Sequence, residues 1–129
     1  MSKTRIIEAV QNLDLESTRR LLEAKPSLLK VINRQGRNLL HLACGASCKN
    51  LKVSEAVAAR MVNFLLDQGL DIEEKGGAGP DLCPPIWFAV CRGRNLTVVK
   101  LLIKRGAVPT GLYAAGWWED IKMAPLDFR

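Results

Sequence analysis

His41, Cys44 and Cys48 are the residues whose types and spacing could do chemistry. The chain has a single histidine, so any catalytic or metal role that needs an imidazole must fall on His41. On one continuous helix these three positions share a face, and histidine and cysteine are zinc ligands. A fourth ligand would have to come from Cys83 or Cys91. One alternative for the function is therefore a metal-binding or enzymatic protein centred on His41, Cys44 and Cys48.

A structural role explains the same residues without a metal. Cysteine often packs as a small hydrophobic residue, and a buried histidine usually finds hydrogen-bond partners in the protein. The glycines of residues 76–79 are not followed by the Gly-Lys-Ser/Thr of a phosphate-binding loop, and no nucleophile-elbow signature occurs. We therefore predict a protein that is not an enzyme, with no cofactor and no metal.

Length and composition set the class of protein. The chain has 129 residues, of which 48% are hydrophobic and 25% charged, enough for one domain over residues 1–129. No apolar run approaches the roughly 20 residues of a membrane helix, and the N-terminal residues do not resemble a signal peptide. We expect a cytoplasmic protein, not bound to a membrane, whose four cysteines are reduced thiols.

The formal net charge of +6 is unevenly distributed along the chain. Basic residues outnumber acidic residues in 1–50 and in 82–129, whereas acidic residues dominate 51–81. Nucleic-acid binding through these basic ends is a second alternative, but the chain lacks a dense Lys/Arg run and aromatic residues interleaved with basic ones. An acidic protein surface is the partner that the charge favours.

Residues 89–107 have the pattern of two helices joined by a tight turn. The small Ala89 suits a helix crossing, Gly93 would close the first helix, and Gly106 would end the second. The prolines at the start of residues 84–89 suit a first helical turn, where no amide partner is needed. One apolar face is predicted from the helical spacing of Val98, Leu101 and Leu102.

This pattern resembles the ankyrin repeat, which opens with Thr-Pro-Leu-His-x-Ala and continues into two antiparallel helices. Similar openings occur at residues 4–9, 38–43, 84–89 and 124–129. The resemblance implies an all-α ankyrin-repeat solenoid with short finger loops, in units 2–35, 36–81 and 82–109, followed by a partial repeat or cap at 110–129. It assigns structural roles to His41, Ala43, Pro85, Ala89, Gly93 and Gly106. The third unit departs from the pattern, with Leu82 in the finger-glycine position and Trp87 in the histidine position.

Spacing between the openings exceeds the family period of about 33 residues, so we assign the extra residues to loops. Asp14 and Asn38 are predicted to cap helices, and Ser54 to cap a longer helix that Gly69 ends. We expect the segment from Ser47 to Val53 to project from the stack instead of entering its core.

The resemblance further implies a non-catalytic protein–protein interaction module, monomeric, that binds through its finger tips and the solvent side of its inner helices. Mapped onto this chain, those positions are Arg34, Gln35, Arg37, Gly45 and Ala46 in the second unit and Pro80, Asp81, Cys83, Cys91 and Arg92 in the third. Of these, we expect Arg34, Arg37 and Arg92 to share the concave side and bind an acidic surface.

Two adjacent tryptophans distinguish the C-terminal segment. An ankyrin-like stack that stopped at Ala107 would leave an apolar face open, which is uncommon on a soluble monomer. We therefore expect residues 111–129 to lay Trp117, Trp118 and Leu126 over that face. Since neighbouring side chains point in different directions, one tryptophan would be buried and the other free to bind a partner.

Overall fold

A computed structural model describes residues 2–77 and 82–108 of the chain. Those residues are mostly helical and contain no β-strand, which confirms the predicted all-α class for this part of the chain. The elements are α1 (Ser2–Gln11), α2 (Leu15–Ala24), a 3-10 turn (Pro26–Lys30), α3 (Leu39–Cys44), α4 (Cys48–Leu51), α5 (Glu55–Asp67), α6 (Pro85–Phe88), a π-helical turn (Ala89–Gly93) and α7 (Leu96–Lys104). None of the described helices is long and apolar enough to cross a membrane.

Side-chain caps fix the starts of several helices. As predicted, the Asp14 carboxylate accepts hydrogen bonds from the Ser17 N–H at 3.1 Å and the Ser17 hydroxyl at 2.7 Å, which lower the pKa of Asp14. Asn38 caps α3 and Asn95 caps α7, each accepting from a backbone N–H three residues ahead. Ser54 precedes α5 as predicted, but its side chain makes no capping hydrogen bond.

The helices pack in two neighbouring rows. In one row α3 lies between α1 and α6, and in the other α5 lies beside α7. The rows meet where α3 packs against α5, while α2 packs against α1. The largest side chains that are fully buried between these helices are Ile6, Leu39, Leu40, Met61, Leu65, Ile86 and Leu102. Leu101 of the predicted apolar face is only partly buried, and its neighbour Val99 is buried instead.

Two hairpins protrude at the N-terminal ends of α3 and α6. The first, residues 31–38, contains an antiparallel bridge between Ile32 and Asn38; the second, described over residues 74–77 and 82–83, contains one between Gly76 and Cys83. The Gly77 N–H donates to the Gly36 carbonyl at 3.1 Å, which joins the hairpins side by side. Gly36 has a φ of +77°, and a Cβ there would lie 2.2 Å from the Gly77 oxygen, so this junction requires glycine.

The segment between α3 and α5 corrects one prediction. It forms α4, whose Cys48 is buried in the core, and both Leu51 and Val53 pack against that core. The expectation that residues 47–53 project from the stack is therefore wrong. Lys49 and Asn50 of this segment are exposed to solvent. These polar residues gave the sequence the pattern of a loop, although the neighbouring Cys48 is buried.

Candidate functional site

His41 joins α3 to both hairpins. Its Nδ1 accepts a hydrogen bond from the Asn38 N–H at 3.0 Å, and its Nε2–H donates to the Glu74 carbonyl at 2.5 Å. The ring is 1% exposed, and burial lowers its pKa more strongly than the hydrogen bond to Glu74 raises it. A Cβ at Gly76 would lie 2.3 Å from the ring, so the second hairpin can approach His41 only with glycine at this position.

The structure removes the geometric basis for a metal centre at His41, Cys44 and Cys48. Helix α3 ends at Cys44 and α4 begins at Cys48, so the three side chains do not lie on one continuous helix as the metal hypothesis required. Both ring nitrogens of His41 are bonded to backbone groups. Across residues 2–77 and 82–108, no group of three or more His, Cys, Asp or Glu side chains could hold a metal ion.

A groove of about 490 Å³ is lined by residues of α1, of α3 and of the α6 region. Gln11 lies at its α1 end, Leu42 and Ala46 form part of its floor, and Arg37 and Arg92 lie along its walls. Its remaining described lining residues are His41, Gly45, Phe88 and Cys91. This volume lies within the roughly 300–1,000 Å³ typical of ligand pockets.

Arg37 is held over an aromatic ring in this groove. Its guanidinium carbon lies 5.2 Å from the centre of the Phe88 ring, a cation–π contact, and Phe88 itself packs against His41 with ring centres 5.0 Å apart. Burial, followed by the like charge of Arg92, lowers the pKa of Arg37, while Cys83 raises it. The two arginines are thus close enough to repel each other.

Small residues allow α3 and the α6 region to approach closely. A Cβ at Gly93 would lie 2.2 Å from the Cys44 carbonyl oxygen. Ala43 and Ala89 are fully buried between the helices. The helix that contains Gly93 ends there as predicted, but the left-handed residue that follows is Arg94, with a φ of +48°. Gly93 is therefore required for close approach and not for its backbone conformation.

Among the partner-binding residues predicted from the sequence, the structure brings Arg37, Gly45, Ala46, Cys91 and Arg92 together in the groove. Arg34 and Gln35 lie exposed in the first hairpin and do not line it. Arg34 therefore does not line this groove with the other two arginines. Cys83 lies at the base of the second hairpin, bridged to Gly76.

Two of the residues with predicted structural roles lie at helix boundaries. Pro85 begins α6 and is buried, and Gly106, with a φ of +103°, follows the end of α7. The remaining predicted binding residues, Pro80, Asp81, Trp117 and Trp118, and the predicted cap residue Leu126 lie outside the described residues.

Sequence reasoning missed two groups of residues. Gln11 and Phe88 line the groove, although they did not match any position that the repeat pattern assigns to binding. Asn95 is 2% exposed and, besides capping α7, donates to the Glu55 carbonyl and to the Cys48 sulfur, both at 3.4 Å. The Asn-Leu-Thr-Val start of an apolar helix was a capping signal that could have identified Asn95.

Comparison with known proteins adds no family to this description. No protein-family model matches the chain, and a search of curated proteins found no match. The described residues define a helical domain with two hairpins joined side by side and a groove lined by two arginines.

Proposed function

We propose that the chain is an ankyrin-type helical solenoid that acts as a non-catalytic protein–protein interaction module. The order of packing supports this fold: α1, α3 and α6 are successive neighbours, each is followed by a partner helix, and the two hairpins lie side by side. In such a stack each unit buries its apolar face against the next, which leaves one continuous concave surface for a partner. The protein acts in the cytoplasm, as a monomer that holds no cofactor.

The states of its reactive side chains support a role without catalysis. His41 is neutral, buried and bonded through both ring nitrogens, so it is poorly placed to exchange a proton with a substrate. Burial raises the pKa of Cys44, Cys48 and Cys91, which disfavours the thiolate that a cysteine nucleophile needs.

The groove is the observation that carries the proposed function. Five residues that the repeat pattern assigns to partner binding converge there, although they come from two units far apart in sequence. Arg92 and Gln11 are exposed at its edges, whereas Leu42 and Phe88 are buried at its floor. A polar rim around an apolar floor is the usual anatomy of a protein interface.

Site-specific photo-crosslinking tests this function. A photoreactive amino acid is placed at Gln11, in the groove, and in a matched variant at Lys100, which is exposed on α7. After irradiation in an extract of the source cells, adducts are identified by mass spectrometry. We expect a protein adduct from position 11 that position 100 does not give.

Adducts that form equally at both positions, or none at position 11, would contradict an interaction module that binds through this groove. Competition by unlabelled full-length chain separates saturable binding from random collision, because a specific adduct decreases as the competitor fills the partner.

A further inference from the structure

Two arginines are the charged residues among the described lining of the groove, and neither forms an ion pair with a residue in 2–77 or 82–108. Within the described parts of the chain, the ion pairs are Arg20–Glu16 and Arg105–Asp67. Arg37 and Arg92 instead both line the groove and repel each other through their like charge. An anion placed between them would relieve this repulsion and gain attraction from both guanidinium groups.

Arg37 also has an unused hydrogen-bond donor. Its Nε is buried and has no hydrogen-bond partner among the described residues, and a buried donor left unpaired destabilises the free protein. The guanidinium already rests on the Phe88 ring, so little side-chain freedom is lost when a ligand binds. The planar arrangement of arginine donors matches the two oxygens of a carboxylate.

We propose that the groove binds an acidic segment of a partner protein, and that one Asp or Glu carboxylate of this segment sits between Arg37 and Arg92. This inference rests on the proposed function and names the chemistry of its partner. The remaining groove accommodates the neighbouring residues of the segment over Leu42, Gly45 and Ala46. Gly45 contributes no side chain to this floor.

The same features disfavour nucleic acid as the occupant. Single-stranded nucleic acid binds where cations follow the phosphate backbone and exposed aromatic rings stack with bases. Here the aromatic residue in the lining, Phe88, is 2% exposed and lies beneath Arg37. The other described residues of the floor are small or aliphatic, which suits a peptide better than a row of phosphates.

Selection from a display library of short random peptides, with the full chain as bait, tests the proposal. We expect the selected peptides to be enriched in Asp and Glu relative to the unselected library. Each selected peptide is then measured against its counterpart with Asn and Gln in place of Asp and Glu, which should bind at least about tenfold more weakly.

Matched variants assign the effect to the groove. The double variant Arg37→Gln/Arg92→Gln removes two positive charges from the groove, and Lys100→Gln/Lys104→Gln removes the same charge from exposed positions on α7. Affinity should fall at least about tenfold in the first and stay within about twofold in the second. Because Arg37 packs on Phe88, Arg92→Gln alone provides the test if the double variant unfolds, since Arg92 is exposed.

Equal losses in the two double variants would overturn the inference, because they would show attraction to net charge alone. Selection of neutral peptides, or of no peptide, would also overturn it. So would a labelled single-stranded oligonucleotide that binds the chain more tightly than the acidic peptides do and whose binding is lost in the Arg92→Gln variant. Neutral peptides that compete with the adduct at Gln11 would refute the carboxylate inference but leave the proposed function intact. If no adduct forms at position 11, both the carboxylate inference and the proposed function are refuted.

Discussion

The hydrogen bonds of His41 make the stability of the fold sensitive to pH. Its Nδ1 must be unprotonated to accept from Asn38, and burial lowers its pKa from the ordinary value of 6.5. Since the unfolded chain takes up the proton at higher pH than the folded chain, the free energy of unfolding should decrease as pH falls below about 6.5. The decrease is complete once pH passes below the folded-state pKa.

Urea unfolding of the wild type and of His41→Gln between pH 7.5 and pH 5 measures this effect. We expect a decrease across this range in the wild type and a smaller pH dependence in the variant, which lacks the titrating ring. The carboxylates are common to both proteins, so their contribution cancels in the comparison. If the free energy of unfolding depends equally on pH in the two proteins, the neutral, buried His41 is not the source of the effect.

Gly76 tests how closely the second hairpin approaches this ring. Gly76→Ala would place a methyl group 2.3 Å from a buried side chain that is bonded on both sides, so the ring cannot move without losing a hydrogen bond. We expect a loss of about 1–3 kcal/mol in the free energy of unfolding, the usual range for overpacking.

Gly45→Ala is the matched control, because its new methyl group would make its closest contact, with the His41 carbonyl oxygen, at 3.3 Å. The control should lose much less stability in the same denaturation experiment. A loss from Gly45→Ala as large as that from Gly76→Ala would indicate that adding a side chain at either glycine has this cost, and that contact with the His41 ring is not its cause.

At the scale of elements, Asn95 couples α7 to both α4 and α5. Its side chain caps α7 and reaches the Cys48 sulfur and the Glu55 carbonyl, while the Glu55 carboxylate accepts from the Thr97 N–H and hydroxyl at 3.0 and 2.9 Å.

Asn95→Ala should lower the free energy of unfolding by about 2 kcal/mol, the upper range for a cap, because it also leaves buried groups unpaired. Asp14→Ala, at an exposed cap, is the control and should cost less; a reversed order would contradict the coupling role.

Helix caps were the parts of the elements that the sequence could predict. Asp14 and Asn38 precede apolar residues at helical spacing, and their capping is a local property of a few neighbouring residues. The burial of Cys48 was not predictable in this way, since it depends on Asn95, which is distant in the sequence. A polar Ser-Cys-Lys-Asn segment looks like a loop unless its tertiary neighbours are known.

For the whole molecule, α3 should be the most protected element against hydrogen exchange. It packs against α1, α5 and α6, whereas α1 and α2 lie at one end of the rows. In a stack of units that are stabilised by their neighbours, an end unit opens at lower free energy than a central one. Native-state exchange followed by mass spectrometry should show α3 amides exchanging most slowly and α2 amides early; uniform exchange would contradict a stacked arrangement.

The groove, like the burial of Cys48, could be predicted only in part, because it depends on contacts between residues that are distant in the sequence. The repeat pattern identified Arg37 and Arg92 by their positions, because equivalent positions of successive units face the same side of a stack. It could not show that Arg37 would lie over Phe88 or that Arg34 would not line the groove, since both depend on how the hairpins pack on α3. The ankyrin-type stack itself stays a prediction, supported by the order of helix packing.

The π-helical turn that carries Arg92 has a consequence for how this surface could evolve. Its closing hydrogen bond, from the Arg94 N–H to the Ala89 carbonyl, spans one residue more than an α-helical bond. Deleting a single codon within residues 90–92 would allow a regular α-helical turn, because the same N–H and carbonyl would then be four residues apart. A descendant gene could thereby replace Arg92 with a different chemical group at the groove while retaining the helices on either side, so recognition could diverge faster than the fold.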